Sequence, residues 1–109
     1  MKVYRIKDHF QKDFGEYVLG PHELGNEVGY MAWGEIGPGE KKLLKPGGGH
    51  EEIILVIEGE AALENGGGVI GRGEAFFLES GDSVLLMAGP EGCTYVSAGA
   101  HVHESGHSH

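Results

Sequence analysis

Cysteine occurs once in the 109 residues, at Cys93. A lone thiol forbids an intramolecular disulfide, and neither a Cys-rich zinc site nor a C-x-x-C redox pair can be built from it. A reduced, cytoplasmic setting fits. Basic residues are scarce: 8 Lys and Arg stand against 17 Asp and Glu, a formal net charge of −9. No basic patch is then available to neutralise a phosphate backbone or an anionic membrane surface, which argues against nucleic acid or a membrane as partner. No apolar run approaches the roughly 18 residues of a membrane span. The N-terminal MKVYRIKDHF breaks its apolar residues with charges before a signal-peptide core could form. G-x-S-x-G, P-loop and dinucleotide fingerprints are absent too. The expectation is a soluble, unexported protein of one domain.

Glycine is what the chain has in abundance, at 21 residues or nearly three times the usual share of about 7%. No G-x-y period accompanies it, and 39% of residues are hydrophobic, so neither collagen nor disorder fits. From residue 27 onward short apolar runs alternate with turns. The runs are VGYMAWGEI from Val28, KKLLK from Lys41, IILVIEGEAAL from Ile53, EAFFLE from Glu74, SVLLMA from Ser83 and CTYVSAGAHV from Cys93. Between them lie GPGE, PGGG, NGGG, GRGE, ESGD and GPEG. Short glycine-bounded strands predict an all-β barrel or sandwich. Residues 1–26 read as an N-terminal segment packed on the barrel, with one helical turn: Asp8 as N-cap, Phe10 and Phe14 four apart, Gly15 at the left-handed end. Ile53 to Ile57 is apolar at every position, as in a strand buried on both faces.

The stretch Gly39–Gly59 carries a motif spacing, G-x5-H-x-H-x4-E-x6-G, in which Gly39, Glu52 and Gly59 fill the Gly, Glu and Gly slots while Lys45 and Gly47 stand in the two histidine slots. A second spacing, G-x5-P-x-G-x2-H-x3-N, can be laid on Gly81. There Gly89 fits, and Met87, Gly92 and Val96 occupy the Pro, His and Asn slots. On these residues the chain resembles small single-domain cupins, over residues 27–100. The resemblance implies a single cupin-type β-barrel, a jelly-roll-like double sheet, with Glu52 pointing inward beside a metal position. It also implies a homodimer, since small cupins of this kind commonly dimerise, and one face of the apolar strand needs a cover.

The candidate chemistry then divides. Glu52 is the one ligand slot retained, and a buried carboxylate must be paired, metal-bound or protonated; a salt bridge to Lys45 is the structural alternative. His50 shares a face with Glu52 if the strand already runs there, and otherwise is a loop histidine in solvent. Glu51 points to the opposite face. The C-terminal tail, residues 101–109, holds four of the seven histidines, at 101, 103, 107 and 109. His101 and His103 form an H-x-H pair whose imidazoles project from one side of a strand about 7 Å apart, suited to one metal ion. Glu104, His107 and His109 could add ligands. The tail could fold back beside His50 and Glu52, bridge two subunits, or stay unstructured.

The metal candidates are therefore His50, Glu52, His101 and His103, for a divalent transition metal (Zn, Ni, Cu, Fe or Mn). The candidate ligand pocket is Met31, Trp33, Lys45, Ile54 and Val56, with Ile54 and Val56 sharing the inward face of Glu52. Tyr30, Trp33, Phe76, Phe77 and Tyr95 read as core or dimer-interface residues. Cys93 is either a thiolate ligand or a buried, inert thiol. Three functions follow: a metal-dependent cupin enzyme (isomerase, dioxygenase or lyase) on a small polar molecule, a non-catalytic barrel binding a small ligand, or a metal-handling protein with a histidine tail.

Overall fold

The computed structural model describes residues 1–25, 29–64 and 66–101. His103, Glu104, His107, His109, Val28 and Asn65, which figure in the expectations above, lie outside those residues. Among the described residues the chain forms eight strands: β1 (Phe10–Gln11), β2 (Glu16–Leu19), β3 (Gly29–Ile36), β4 (Lys41–Leu44), β5 (His50–Leu63), β6 (Gly68–Gly71), β7 (Ala75–Leu78) and β8 (Val84–His101). A 3-10 turn (Ile6–Asp8) and a short helix α1 (Pro21–Leu24) complete them. No helix among these residues is long and apolar enough to cross a membrane.

Two long strands organise the barrel. β5 and β8 pair antiparallel from His50↔His101 to Val56↔Tyr95, shift register, and pair again from Ala61↔Ala88 to Leu63↔Leu86. Such irregularities bend a strand and raise its twist, so both strands pass from one half of a curled sheet into the other. β3 and β4 flank β8 on one side, and β7 and β6 flank β5 on the other. At the bend the backbones nearly touch. A Cβ on Gly59, which has φ +75°, would sit 2.0 Å from the Gly92 carbonyl oxygen, so only glycine fits that motif slot. Between the two halves lies the core, with Tyr95, Ile54, Leu86 and Val56 its largest fully buried side chains.

Several local expectations are corrected. Gly89–Gly92 does not separate two strands; Gly92, at φ +82°, bends β8 without reversing it. Asp8 ends the 3-10 turn and does not cap a helix, and Phe10 lies in β1. The N-terminal segment joins the sheet instead, β1 pairing β2 and β2 pairing β3. The Ile53–Ile57 run is buried on one face only: Ile54 and Val56 are fully buried, whereas Ile53 is 50% and Leu55 37% exposed, because among the described residues no second layer covers the outer side.

Candidate functional site

β5 begins at His50, so His50, Glu52, Ile54 and Val56 alternate onto the same inward face. Opposite Glu52 on β8 lies Gly99, and opposite Gly99 on β3 lies Tyr30. A Cβ on Gly99 would fall 2.3 Å from Tyr30 Cζ. The bare glycine therefore lets the Tyr30 ring lie across β8, where its hydroxyl donates to Glu52 Oε2 at 2.5 Å.

The same device recurs one step further along the sheet. Tyr95 on β8 faces Gly34 on β3. Continuing the β2–β3 register from Val18↔Ala32 and Tyr17↔Trp33 brings Glu16 opposite Gly34. A Cβ on Gly34 would fall 2.1 Å from Tyr95 Cζ, and the Tyr95 hydroxyl donates to Glu16 Oε2. Each row thus reads tyrosine, glycine, glutamate over three adjacent strands. Neighbouring strands lie about 4.8 Å apart, and a ring can cross the middle one only where that strand offers no side chain.

The electrostatics follow from burial. Glu52 is 9% exposed. Burial pushes its pKa above the usual carboxylate range and the negative charge of Glu16 adds to this, while the hydrogen bond from Tyr30 opposes it. Burial first, then the neighbouring carboxylate, raises both tyrosines well above the ordinary phenol value. Both hydroxyls therefore remain protonated donors at neutral pH. Ser97, inward on β8, is buried as well.

Glu16, Tyr30, His50 and Glu52 line a cavity of about 420 Å³, with Phe14, Val18, Leu43, Leu44 and Pro46 as its apolar walls. Lys42 and Lys45 also border it, but Lys42 Nζ is held by the Phe14 carbonyl at 2.8 Å. The volume is that of a small-molecule site. His50 and His101 are partners across β5 and β8, with ring centroids 5.1 Å apart. Gly49 makes room for this pair, since a Cβ there would meet His101 Cε1 at 2.9 Å.

Of the sequence candidates, the structure brings together His50, Glu52 and Lys45 at the cavity and sets His101 beside His50. Ile54 and Val56 are fully buried in the core and are not part of the cavity wall. Met31 and Trp33 fall on the opposite face, because Tyr30, Ala32 and Gly34 take the inward parity of β3. Met31 is 42% exposed, and Trp33 lies under Lys7 Nζ at 5.2 Å and donates to Glu35 at 2.8 Å. Glu52 is bonded by Tyr30, and no Lys45–Glu52 ion pair forms among the described residues. Glu51 is exposed, as its parity requires, and Cys93 is a buried thiol whose pKa burial raises.

The metal position implied by the motif is not supported by this donor set. Lys45 and Gly47 offer no ligand for a divalent metal, one Glu52 oxygen already accepts from Tyr30, and no three His, Cys, Asp or Glu side chains among the described residues converge on a point. Tyr30, Tyr95 and Glu16 are the site residues that motif reading missed. One signal for Tyr95 was present. Pro90-Glu91-Gly92-Cys93-Thr94-Tyr95 reproduces P-x-G-x2-H if the second motif is laid three residues longer after Gly81, and Tyr95 then stands in the histidine slot. The register agrees, since Tyr95 faces the interior while Gly92 sits at the bend.

No family model matches the chain, and no curated protein does. Solved structures share its fold. A double-stranded β-helix protein of Klebsiella pneumoniae superposes with a TM-score of 0.67 at 20% identity, over 93% of this chain and 90% of its own. Ectoine synthase from P. lautus gives 0.67 at 18%, over 94% and 80%. Oxalate decarboxylase of Bacillus subtilis gives 0.71 at 21%, over 90% of this chain but 29% of its own. At such identities the likeness is one of fold alone: the chain is a small cupin-fold barrel.

Proposed function

We propose that the protein is a small-ligand-binding barrel whose cavity receives a small polar molecule at Glu52 and Glu16. The observation that carries this reading is a buried carboxylate, fixed by Tyr30 on rigid strands, in the wall of a cavity of about 420 Å³. An ionised carboxylate only accepts hydrogen bonds, so the part of the ligand that meets it must donate them, as an ammonium or amide does. The apolar walls suit an alkyl or aryl body. Chemistry through an inherited metal would need about three protein ligands, and the matched slots supply Glu52 alone. NMR titration of the isotope-labelled protein with butylammonium and with butyrate tests the reading. Butylammonium should shift the resonances of Tyr30, Glu52 and Glu16 more than butyrate does, and Glu52→Gln should weaken that response. If neither probe moves those resonances, the cavity is not the binding site.

A second reading rests on a different observation, the facing imidazoles of His50 and His101. Neutral imidazole suits a divalent transition metal (Zn, Ni, Cu, Fe or Mn), and His103 supplies a further nitrogen in the sequence. Oxalate decarboxylase of Bacillus subtilis, a fold neighbour, has Mn(II) centres. Zinc titration against a chromophoric chelator should show binding that weakens as pH falls, because protons compete for the ligating nitrogens. Unchanged affinity in His101→Ala would remove the pair from consideration.

A further inference from the structure

Both carboxylates of the cavity are fixed from the same pair of strands. Tyr30 leaves β3 and crosses β8 to reach Glu52 on β5, while Tyr95 leaves β8 and crosses β3 to reach Glu16 on β2. Glu16 and Glu52 therefore stand on the strands that flank β3 and β8, and the curl of the sheet turns both into one cavity. Each tyrosine occupies one acceptor position on Oε2. A carboxylate offers about four, so each keeps capacity for a ligand. The two groups also act on each other: after burial, the charge of Glu16 contributes to the raised pKa of Glu52, and Glu52 in turn to that of Tyr95.

No cation of the chain answers this pair among the described residues. Lys42 Nζ is held by the Phe14 carbonyl at 2.8 Å, Lys45 is exposed, and His50 Nδ1 lies 3.2 Å from the Gly48 carbonyl. Neither Glu16 nor Glu52 takes part in an ion pair there. Taking the cavity as the binding site proposed above, we infer that its ligand is a dication, a short α,ω-diamine whose two ammonium groups are taken by Glu52 and Glu16. A monoamine neutralises one carboxylate and turns its alkyl end toward the other, which loses water without gaining a donor. A diamine supplies donors at both ends, and its methylenes suit the apolar wall of Val18, Leu44 and Pro46. The cavity of about 420 Å³ has room for such a chain. The formal charge of −9 draws a dication more strongly than a monocation.

Calorimetric titration of the full chain compares diaminobutane and diaminohexane with butylammonium. Mildly alkaline buffer favours ionised carboxylates while the amines keep their protons. The better diamine should bind about 10- to 100-fold more tightly than butylammonium, the worth of one further charge-assisted hydrogen bond. Glu16→Gln keeps an acceptor for the Tyr95 hydroxyl and should remove that advantage, bringing diamine and monoamine to similar affinity; circular dichroism checks its fold. Glu52→Gln should remove it too, which keeps the test open if the first variant does not fold. Equal affinity for diamine and monoamine in the wild type, with both moving the Tyr30 and Glu52 resonances, overturns the diamine assignment and leaves the cavity as a binding site. A diamine advantage that survives in folded Glu16→Gln overturns it as well, since the second ammonium then sits elsewhere on the acidic surface. If no amine moves those resonances, the cavity is not the binding site and the diamine assignment falls with it.

Discussion

Replacing Gly34 by alanine puts the tyrosine–glycine–glutamate row under direct strain. In an ordinary strand interior the change is favourable by about 0.5–1 kcal/mol, because glycine surrenders more backbone entropy on folding. Gly34 is not among the glycines with positive φ, so its backbone accepts a side chain. Its surroundings do not. The new Cβ would lie 2.1, 2.3 and 2.4 Å from Cζ, the hydroxyl oxygen and Cε2 of Tyr95, a side chain with 0% exposure. Displacing a buried ring costs about 1–3 kcal/mol, and losing its hydrogen bond to a carboxylate about 1.5–3 kcal/mol. The net expectation is a loss of about 2–5 kcal/mol, a large part of the roughly 5–15 kcal/mol available to a domain. Urea unfolding followed by the fluorescence of Trp33, the one tryptophan, measures it. In a Tyr95→Leu background the colliding atoms are gone, and the same substitution should become neutral or stabilising by about 0.5–1 kcal/mol. Equal costs in the two backgrounds, or no cost in the wild type, would refute the proposed packing.

Glu52→Gln should stabilise the protein at neutral pH and leave it unchanged near pH 4. The folded state raises the Glu52 pKa above its reference of 4.5, so this group's contribution is fully present below about 4.5 and is lost as pH rises through the raised value. Each unit of displacement is worth about 1.4 kcal/mol. A stability–pH curve steeper in the glutamine variant than in the wild type would contradict this. Tyr30→Phe removes the hydrogen bond that holds Glu52 down, so carbon-detected NMR should find the Glu52 carboxyl titrating higher still. The variant should lose about 1.5–3 kcal/mol where the carboxylate is charged, and less in acid. For the metal reading, His101→Ala with His103→Ala should abolish most zinc binding, whereas replacing His107 and His109 should matter less; wild-type affinity in the first pair excludes the tail.

How much of this was legible depends on how far apart in the chain the deciding residues lie. Gly39, Gly59 and Gly81 were readable because each sits where φ is positive, at 72°, 75° and 94°, and a local pattern records a local conformation. Glu52, Ile54 and Val56 were readable because one strand's alternation fixes their common face once its register is known. Tyr30 was not, because nothing within β3 decides whether it or Met31 turns inward. That choice is made by Gly99 on β8 and Glu52 on β5, which together offer the phenol both room and an acceptor. The exposure of Ile53 escaped for a related reason: an apolar run records that a face needs a cover, but not whether the same chain provides it.

The two tyrosine rows also bear on why Glu52 can remain inside a barrel whose neighbouring slots carry no metal ligand. A carboxylate buried alone costs several kcal/mol or must take up a proton. Lys45, the nearest cation by motif, stands exposed at the cavity edge and makes no ion pair with it. The Tyr30 hydroxyl partly offsets that cost, while burial still holds the Glu52 pKa above its ordinary value. An acceptor left under-compensated in a cavity wall gains most from a ligand that brings its own donors. Removing Glu52 should therefore cost ligand affinity while raising the stability of the free protein, and a single substitution that moved both in the same direction would separate the site from its proposed role.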